Sequence, residues 1–371
     1  MTDRTVFTFS AGPAMLPDIV LKELAQGILN YNGTGISVAE LSHRGVDYKD
    51  EIFPSTRAAF NKLLNVPEDY ETIFSAGGAT FEFGNIIRNL MQGPDLAQYI
   101  DTGYWSKQAH GIAKKFKKDG LVQRIESING LEEVNGLSNL RHIKPEEINE
   151  NAAFVYICAN ETIGGVQYQK FPDTGNIPLV ADMSSEMFTR VFDINNFGVV
   201  FACGQKNFGF AGFSVVIVRK DLIGKVLPGT IDVQDYKQLA DKASAINTPP
   251  TVAIYTAGLI ADYIQEGGGV EAMARQADYR SGLIYNVIDG SDGFYKSPVH
   301  SEVRSKLNIP FLLKDGSLED AFKQEARKEG LLELEGHRSV GGLRASMYIG
   351  MPDIGAEKLA GLMQHFAQKH G

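Results

Sequence analysis

Cysteine is nearly missing from this chain. It has two in 371 residues, Cys158 and Cys203, with neither a CxxC pair nor a metal spacing. That excludes a disulfide framework and a cysteine-built zinc site; both lie in apolar runs, where a thiol acts as a small core side chain. A basic surplus is also lacking. The formal net charge of −9 argues against a general nucleic-acid binder, although a few arginines in a cleft can still hold a small anion. No apolar run approaches a membrane span. The opening MTDRTVFTFS has no basic stretch followed by an apolar core, and the closing QKHG matches no lipid or retrieval signal, so a cytoplasmic protein is expected. The seven histidines show no HxxxH or HExxH spacing, against a histidine-held metal. GxSxG, GxGxxG and GxxxxGK do not occur, against a serine hydrolase, a dinucleotide fold of the usual kind and a P-loop.

The composition that remains is ordinary for a globular protein, 43% hydrophobic and 22% charged, and the length suggests two domains. Short apolar runs at 71–77, 97–103, 152–160, 177–183, 199–205 and 213–220 read as strands. Their near-continuous apolar character predicts a mainly parallel sheet covered on both faces. Helical patterns at 81–91 and 106–118 lie between them, which is the α/β alternation. After the turn Asn247-Thr248-Pro249-Pro250 come long helices over about 252–266 and 270–288. A strand at 306–314, a helix at 317–330, a strand at 343–350 and a final helix at 356–369 follow. These suit a smaller α+β domain, with a boundary within 250–270.

Chemistry in an open parallel sheet sits beyond the carboxyl ends of its strands, and polar clusters fall where these strands end. Gly77-Gly78-Ala79-Thr80 precedes a helix and can cradle a phosphate with backbone N–H groups, or serve only as a turn. Thr102-Gly103-Tyr104-Trp105-Ser106 holds the single tryptophan, a core residue or a platform for a flat ring. Asn160-Glu161-Thr162 and Asp182-Met183-Ser184-Ser185 end two further strands. A buried Asp182 needs a cationic partner such as a protonated ring nitrogen, or it caps a helix. Lys206, in the tight loop Gly204-Gln205-Lys206-Asn207-Phe208-Gly209, is expected to have a depressed pKa and to be a nucleophile; the alternative is a surface hairpin lysine. An acid and then a lysine, 24 residues apart at buried strand ends, is what a pyridoxal phosphate site needs. Gly336-His337-Arg338-Ser339-Val340-Gly341-Gly342-Leu343-Arg344 and Glu40-Leu41-Ser42-His43-Arg44 carry arginines suited to two separate anionic groups.

In this order the clusters FSAGPA, ELSHR, GGAT, TGYWS, NET, ADMSS, GQKNFGFAG, NTPPT and EGHRSVGGLRAS resemble the phosphoserine aminotransferase family, fold-type I (class V) pyridoxal phosphate enzymes. The resemblance covers nearly the whole chain. It implies a large cofactor-binding domain over 16–262, and a small domain from 1–15 and 263–371. It also implies that Lys206 carries the cofactor, Asp182 pairs with its ring nitrogen, Trp105 stacks on the ring and Thr162 bonds the phenolic oxygen. Ala79, Thr80 and Gln205 would hold the cofactor phosphate, joined by Asn247 and Thr248 from the partner of a homodimer. Arg344 would bind the substrate α-carboxylate. His337 and Arg338, with the partner subunit's His43 and Arg44, would bind the distal anion. The implied reaction moves an amino group between glutamate and 3-phosphohydroxypyruvate, giving 2-oxoglutarate and O-phosphoserine. The chain departs from the usual family pattern at Phe210 and at Ile349-Gly350. Another class V enzyme, a cysteine desulfurase among them, is the alternative, and a non-catalytic scaffold a further one. A desulfurase needs a mobile cysteine, and both cysteines fall in predicted strands.

Overall fold

The computed structural model describes residues 4–93, 96–338 and 340–371. A short strand β1 (Phe7–Thr8) is followed by helices α1 (Asp18–Asn30) and α2 (Phe53–Leu63). Then β2 (Tyr70–Ala76), α3 (Ala79–Leu90), β3 (Leu96–Asp101), α4 (Tyr104–Lys118) and β4 (Arg124–Asn129) alternate. A hairpin of β5 (Leu131–Val134) and β6 (Leu137–Leu140) precedes β7 (Ala152–Cys158), β8 (Leu179–Asp182) and β9 (Val199–Cys203). The one-turn helix α5 (Gly204–Asn207) leads into β10 (Phe213–Arg219). Three helices follow, α6 (Tyr236–Asp241), α7 (Thr251–Glu266) and α8 (Gly269–Asp289). The remainder is β11 (Tyr295–Lys296), β12 (Asn308–Leu313), α9 (Glu319–Lys328), β13 (Leu331–Leu332), β14 (Leu343–Ser346) and α10 (Asp353–His370).

The main sheet has seven strands in the order β2-β10-β9-β8-β7-β3-β4. Only β10 is reversed, pairing antiparallel with both β2 and β9, while the other contacts are parallel. The alternation of side chains along a strand explains the continuous apolar runs. Val215 and Ile217 of β10 enter the core shared with α2 and α7, and Val216 and Val218 enter the core shared with α3 and α6. In the first core Phe60 meets Phe74, Phe188 and Phe208 edge to face, with centroids 5.5, 4.9 and 5.4 Å away. Each such ring contributes about 1.5–3 kcal/mol by leaving water.

A separate core forms where Phe7, Phe9 and Met15 pack with Ile309 and Phe311 of β12 and Phe366 of α10. β1 pairs in parallel with β13 through Phe7 and Leu331, so the N-terminal segment joins chain more than 300 residues later. Helix α8 spans both cores, with Val270 and Met273 in one and Ile284 and Val287 in the other. Helix α10 has Asp353 in its first turn and Lys369 and His370 in its last, charges that complement its dipole.

The sequence pattern differs from the structure in places with clear causes. Strand β4 lies at the sheet edge and buries only Ile125 and Ile128, too few for an apolar run. The strand read at 343–350 ends at Ser346, because Tyr348 and Gly350 turn the chain back under the N-terminal segment. A Cβ on Gly350 would lie 2.0 Å from the Met15 carbonyl oxygen.

Candidate active site

The carboxyl ends of β2, β3, β7, β8 and β9 all reach one edge of the sheet, beside the reversed β10. They enclose a cavity of about 320 Å³ lined by Ala79, Thr80, Trp105, Thr162, Asp182, Gln205 and Lys206. Seven of the sequence-derived candidates thus share one wall. A larger cleft of about 810 Å³ lies on the opposite edge, where Pro178 and Gly198 precede β8 and β9 and Arg219 ends β10. In an open α/β sheet the chemistry belongs to the carboxyl edge, so the smaller cavity is the candidate.

Lys206 is not in a loop as the sequence suggests but in the single turn α5. The turn is forced by close packing: a Cβ on Gly204 would lie 2.4 Å from both the Phe210 carbonyl oxygen and the Phe213 ring. The Lys206 ammonium donates to Thr162 Oγ1 at 2.8 Å and lies 5.8 Å from the centre of the Trp105 ring. Asp182 ends β8 at 5% exposure and accepts from the Ser184 N–H at 2.9 Å. Burial pushes its carboxyl up, against the pull of Lys206 and Ser184. The expected depression of the Lys206 pKa is corrected. Burial is the largest single influence and lowers it, but Tyr348, Cys203, Asp182 and Cys158 together hold it above the ordinary lysine value. A buried ammonium among acidic groups keeps its proton.

Helix α3 begins at Ala79, two residues earlier than its apolar pattern shows, so Ala79 and Thr80 occupy its first turn. Gly78 precedes it with no side-chain cap, and open space lies where a Cβ would be. The N–H groups at the start of a helix suit an anion. Trp105 likewise sits in the first turn of α4 rather than in the loop before it. Cys158 and Cys203 line the same cavity, but each is fixed at a strand end with its thiol pushed up by burial. Neither is the mobile thiolate that a desulfurase needs.

Arg344, on β14, donates to the Thr162 carbonyl at 3.3 Å. Burial lowers its pKa, and its Nε is buried without a partner among the described residues. The loop before it closes tightly. The Gly336 N–H donates to the Gly342 carbonyl at 2.9 Å, and a Cβ on Gly336 would lie 2.1 Å from the Gly341 oxygen. Gly341 and Gly342 have φ of +74° and +66°, which non-glycine residues rarely adopt. The turn presents the exposed Arg338 and sets the His337 ring 5.4 Å from Tyr104, beside Trp105; Ser339 lies outside the described residues. His337, Arg338 and Arg344 are not among the residues lining the cavity, nor are His43, Arg44, Asn247 and Thr248. Arg44, Asn247 and Thr248 are exposed and His43 is half-buried.

Motif reading assigned no role to one buried polar chain. Asn160, at the cavity wall, donates to Ser185 Oγ at 2.9 Å and to Asn308 Oδ1 at 2.8 Å. Asn308 donates to Ser346 Oγ at 2.9 Å and Tyr348 Oη at 3.0 Å, and Tyr348 Oη donates to the Ala11 carbonyl at 3.0 Å. The chain therefore ties the cavity wall to the strand carrying Arg344 and to the N-terminal segment. Its signal in the sequence was the asparagine that heads the apolar run Asn308–Leu313, which requires partners when buried. Gly12 closes over Lys206: a Cβ there, at a φ of +133°, would lie 3.5 Å from Lys206 Cγ. Ile349 is buried and donates its N–H to Asn207 Oδ1 at 3.3 Å, whereas Phe210 is exposed.

Residues 6–359 match the family described as aminotransferase class-V. The chain is 43% identical over 367 residues to a phosphoserine aminotransferase of Laribacter hongkongensis, covering 99% of this chain and 100% of that protein. It is 41% identical over 369 residues to one of Acidithiobacillus ferrooxidans, covering both in full. Among solved structures it is similar to the phosphoserine aminotransferase of Bacillus circulans subsp. alkalophilus. That match has a TM-score of 0.91 and 37% identity over 100% of both chains. The pyridoxal phosphate-bound phosphoserine aminotransferase of Trichomonas vaginalis matches with a TM-score of 0.89 and 35% identity, over 97% of this chain and 99% of that one.

Proposed function

The chain belongs to the phosphoserine aminotransferase family of class V aminotransferases, and from that premise we propose how its residues divide the work. It is a pyridoxal phosphate enzyme that exchanges an amino group between glutamate and 3-phosphohydroxypyruvate, yielding 2-oxoglutarate and O-phosphoserine. The residues present fit the cofactor. Trp105 Nε1 and Gln205 Oε1 are buried at the cavity wall without partners among the described residues, and the first turn of α3, which has no side-chain cap, borders the same space through Gly78, Ala79 and Thr80. Ala79, Thr80 and Gln205 would hold the phosphate, Trp105 the ring face, Thr162 the phenolic oxygen, Asp182 the ring nitrogen and Lys206 the carbon that carries the aldehyde. When bound, the cofactor supplies an electron-withdrawing ring that accepts the charge left as the α-proton leaves. Lys206 Nζ, which donates to Thr162 Oγ1 at 2.8 Å, is the amine placed to take that proton, a role it can fill only after losing its own. The observation that carries the reading is this Lys206–Thr162–Arg344 convergence, with an anion-binding guanidinium 3.3 Å from the carbonyl of the residue that holds the amine.

Arg344 binds the α-carboxylate, and the dianionic far end goes to His337 and Arg338, joined by the partner's His43 and Arg44. A phosphate carries nearly two charges and gains more from this cluster than one carboxylate does. 3-Phosphohydroxypyruvate is therefore the expected acceptor in steady-state assays, with pyruvate and glyoxylate poor. Arg338→Ala should raise KM for the phosphorylated acceptor roughly 10- to 100-fold, the loss of a charged hydrogen bond. Equal kcat/KM for pyruvate and phosphohydroxypyruvate would leave only a general aminotransferase.

The working unit in this reading is a cytoplasmic homodimer whose chain divides into 16–262 and 1–15 plus 263–371. Supporting it, the segment around His43 and Arg44 exposes Ile28, Leu29, Ile36 and Val46, an apolar set suited to a partner surface. Arg44, Asn247 and Thr248 would then complete the site of the other subunit. Mixing inactive Lys206→Ala with inactive Arg44→Ala protein should restore activity, because one site of each hybrid dimer has all its parts. No recovery after verified subunit exchange would show that Arg44 serves its own chain or none.

A further inference from the structure

Glu161 is fully buried, and no part of the proposed chemistry uses its carboxylate. Its hydrogen bonds come from the start of α4. Oε2 accepts the Trp105 N–H at 2.9 Å, and Oε1 accepts the Ser106 N–H at 2.9 Å and the Ser106 hydroxyl at 2.7 Å. Helix α4 begins after Gly103, which has no side chain to cap it, so the carboxylate of another strand's loop does the capping. Space is arranged for this: a Cβ on Gly103 would lie 2.5 Å from Glu161 Cδ. The next residue, Thr162, holds Lys206 Nζ at 2.8 Å, and that ammonium faces the Trp105 ring at 5.8 Å. Two consecutive residues thus fix two facing groups, Glu161 the backbone of Trp105 and Thr162 the amine.

We infer that Glu161 is a positioning residue that sets the Trp105 ring over the cavity at a fixed separation from Lys206. The inference rests on the reading of Trp105 as the platform for the cofactor ring. A carboxylate suits the task better than an amide. Both its oxygens accept, matching two backbone N–H groups at the positive end of a helix dipole, whereas a glutamine turns one NH₂ donor toward them. Burial pushes its carboxyl up, opposed in part by the Ser106 and Trp105 donors of α4.

The chain has one tryptophan, so the emission of cofactor-stripped protein reports Trp105 alone. Glu161→Gln is expected to shift that emission to the red and raise its quenching by acrylamide. It should also raise the Kd for pyridoxal phosphate roughly 10- to 100-fold, with borohydride still fixing the cofactor to Lys206. Glu161→Asp keeps the charge and should recover part of both signals. Ser106→Ala removes one of the three donors but also the acceptor of the Thr102 and Gly103 N–H groups at 2.8 and 3.0 Å, so Glu161→Asp, which leaves Ser106 in place, serves as the deciding variant if Glu161→Gln does not fold. Native emission and native Kd in whichever variant is folded would overturn the inference. Trp105→Phe separates the two ideas: an unchanged Kd there would remove the platform reading, while the emission of the Glu161 variants would still decide whether Glu161 positions the ring.

Discussion

Lys206→Ala protein is expected to show no transaminase turnover above background, a loss of at least about 10⁴-fold, because one atom carries both cofactor attachment and proton transfer. The Nζ is the group fixed between Thr162 Oγ1 at 2.8 Å and the Trp105 ring, and among the described residues no other lysine lines the cavity. Borohydride treatment of the unaltered enzyme should place the reduced cofactor on the Lys206 peptide by mass spectrometry and on none in the variant. The raised pKa of Lys206 adds a second signature. Below that pKa the amine is protonated and cannot attack an aldehyde, so in cofactor-free protein the reactive fraction grows about tenfold per pH unit as pH rises from neutrality. The rate of cofactor capture, followed by absorbance, should climb with pH through the neutral and alkaline range. A flat profile would mean that burial dominates and that the amine is already neutral. Cofactor recovered on another lysine would remove Lys206 from the site altogether.

How much of this was legible in the sequence depends on the range over which each residue acts. The apolar runs of β7, β9 and β10 announce buried strands because both faces are covered, and the residues just beyond their ends gather because parallel strands share a carboxyl edge. Lys206, Asp182, Thr162 and Trp105 could therefore be placed together from chain position alone. What could not be read were contacts set by tertiary closure. The cap that Glu161 gives to α4 joins residues 55 and 56 positions apart, and the Tyr348 bond to Ala11 spans 337. The sign of the Lys206 shift failed for the same reason. Burial is visible in an apolar context, but the opposing acidic groups come from β7, β8, β9 and the turn after β14. Helix starts were misplaced by two residues at α3 and α4 because Ala79, Thr80 and Trp105 line the cavity and Tyr104 is exposed, and so they fall outside the apolar stripe.

Asp182→Ala should keep the cofactor and lose the reaction, with kcat falling on the order of 10³-fold or more. Two features of the site separate binding from turnover. Attachment belongs to Lys206 and the phosphate cradle to α3, so the variant should retain near-stoichiometric pyridoxal phosphate after gel filtration. The negative charge belongs to Asp182 alone at the end of β8, where it is 5% exposed and hydrogen-bonded to the Ser184 N–H at 2.9 Å. In that setting an ionised carboxylate is costly, and burial pushes its pKa up against the pull of Lys206 and Ser184; a protonated ring nitrogen would be a further cation to stabilise the charge. The two charges therefore stabilise each other, and removing one removes the reason for the other. Asp182→Asn distinguishes charge from shape. It can keep the bond from Ser184 and the same volume but cannot carry the charge, so its kcat should match that of the alanine variant rather than the parent enzyme. If Asp182→Asn turns over at near-parental rate, the carboxylate acts only by filling space and receiving the Ser184 N–H, and the ring must draw its stabilisation from elsewhere.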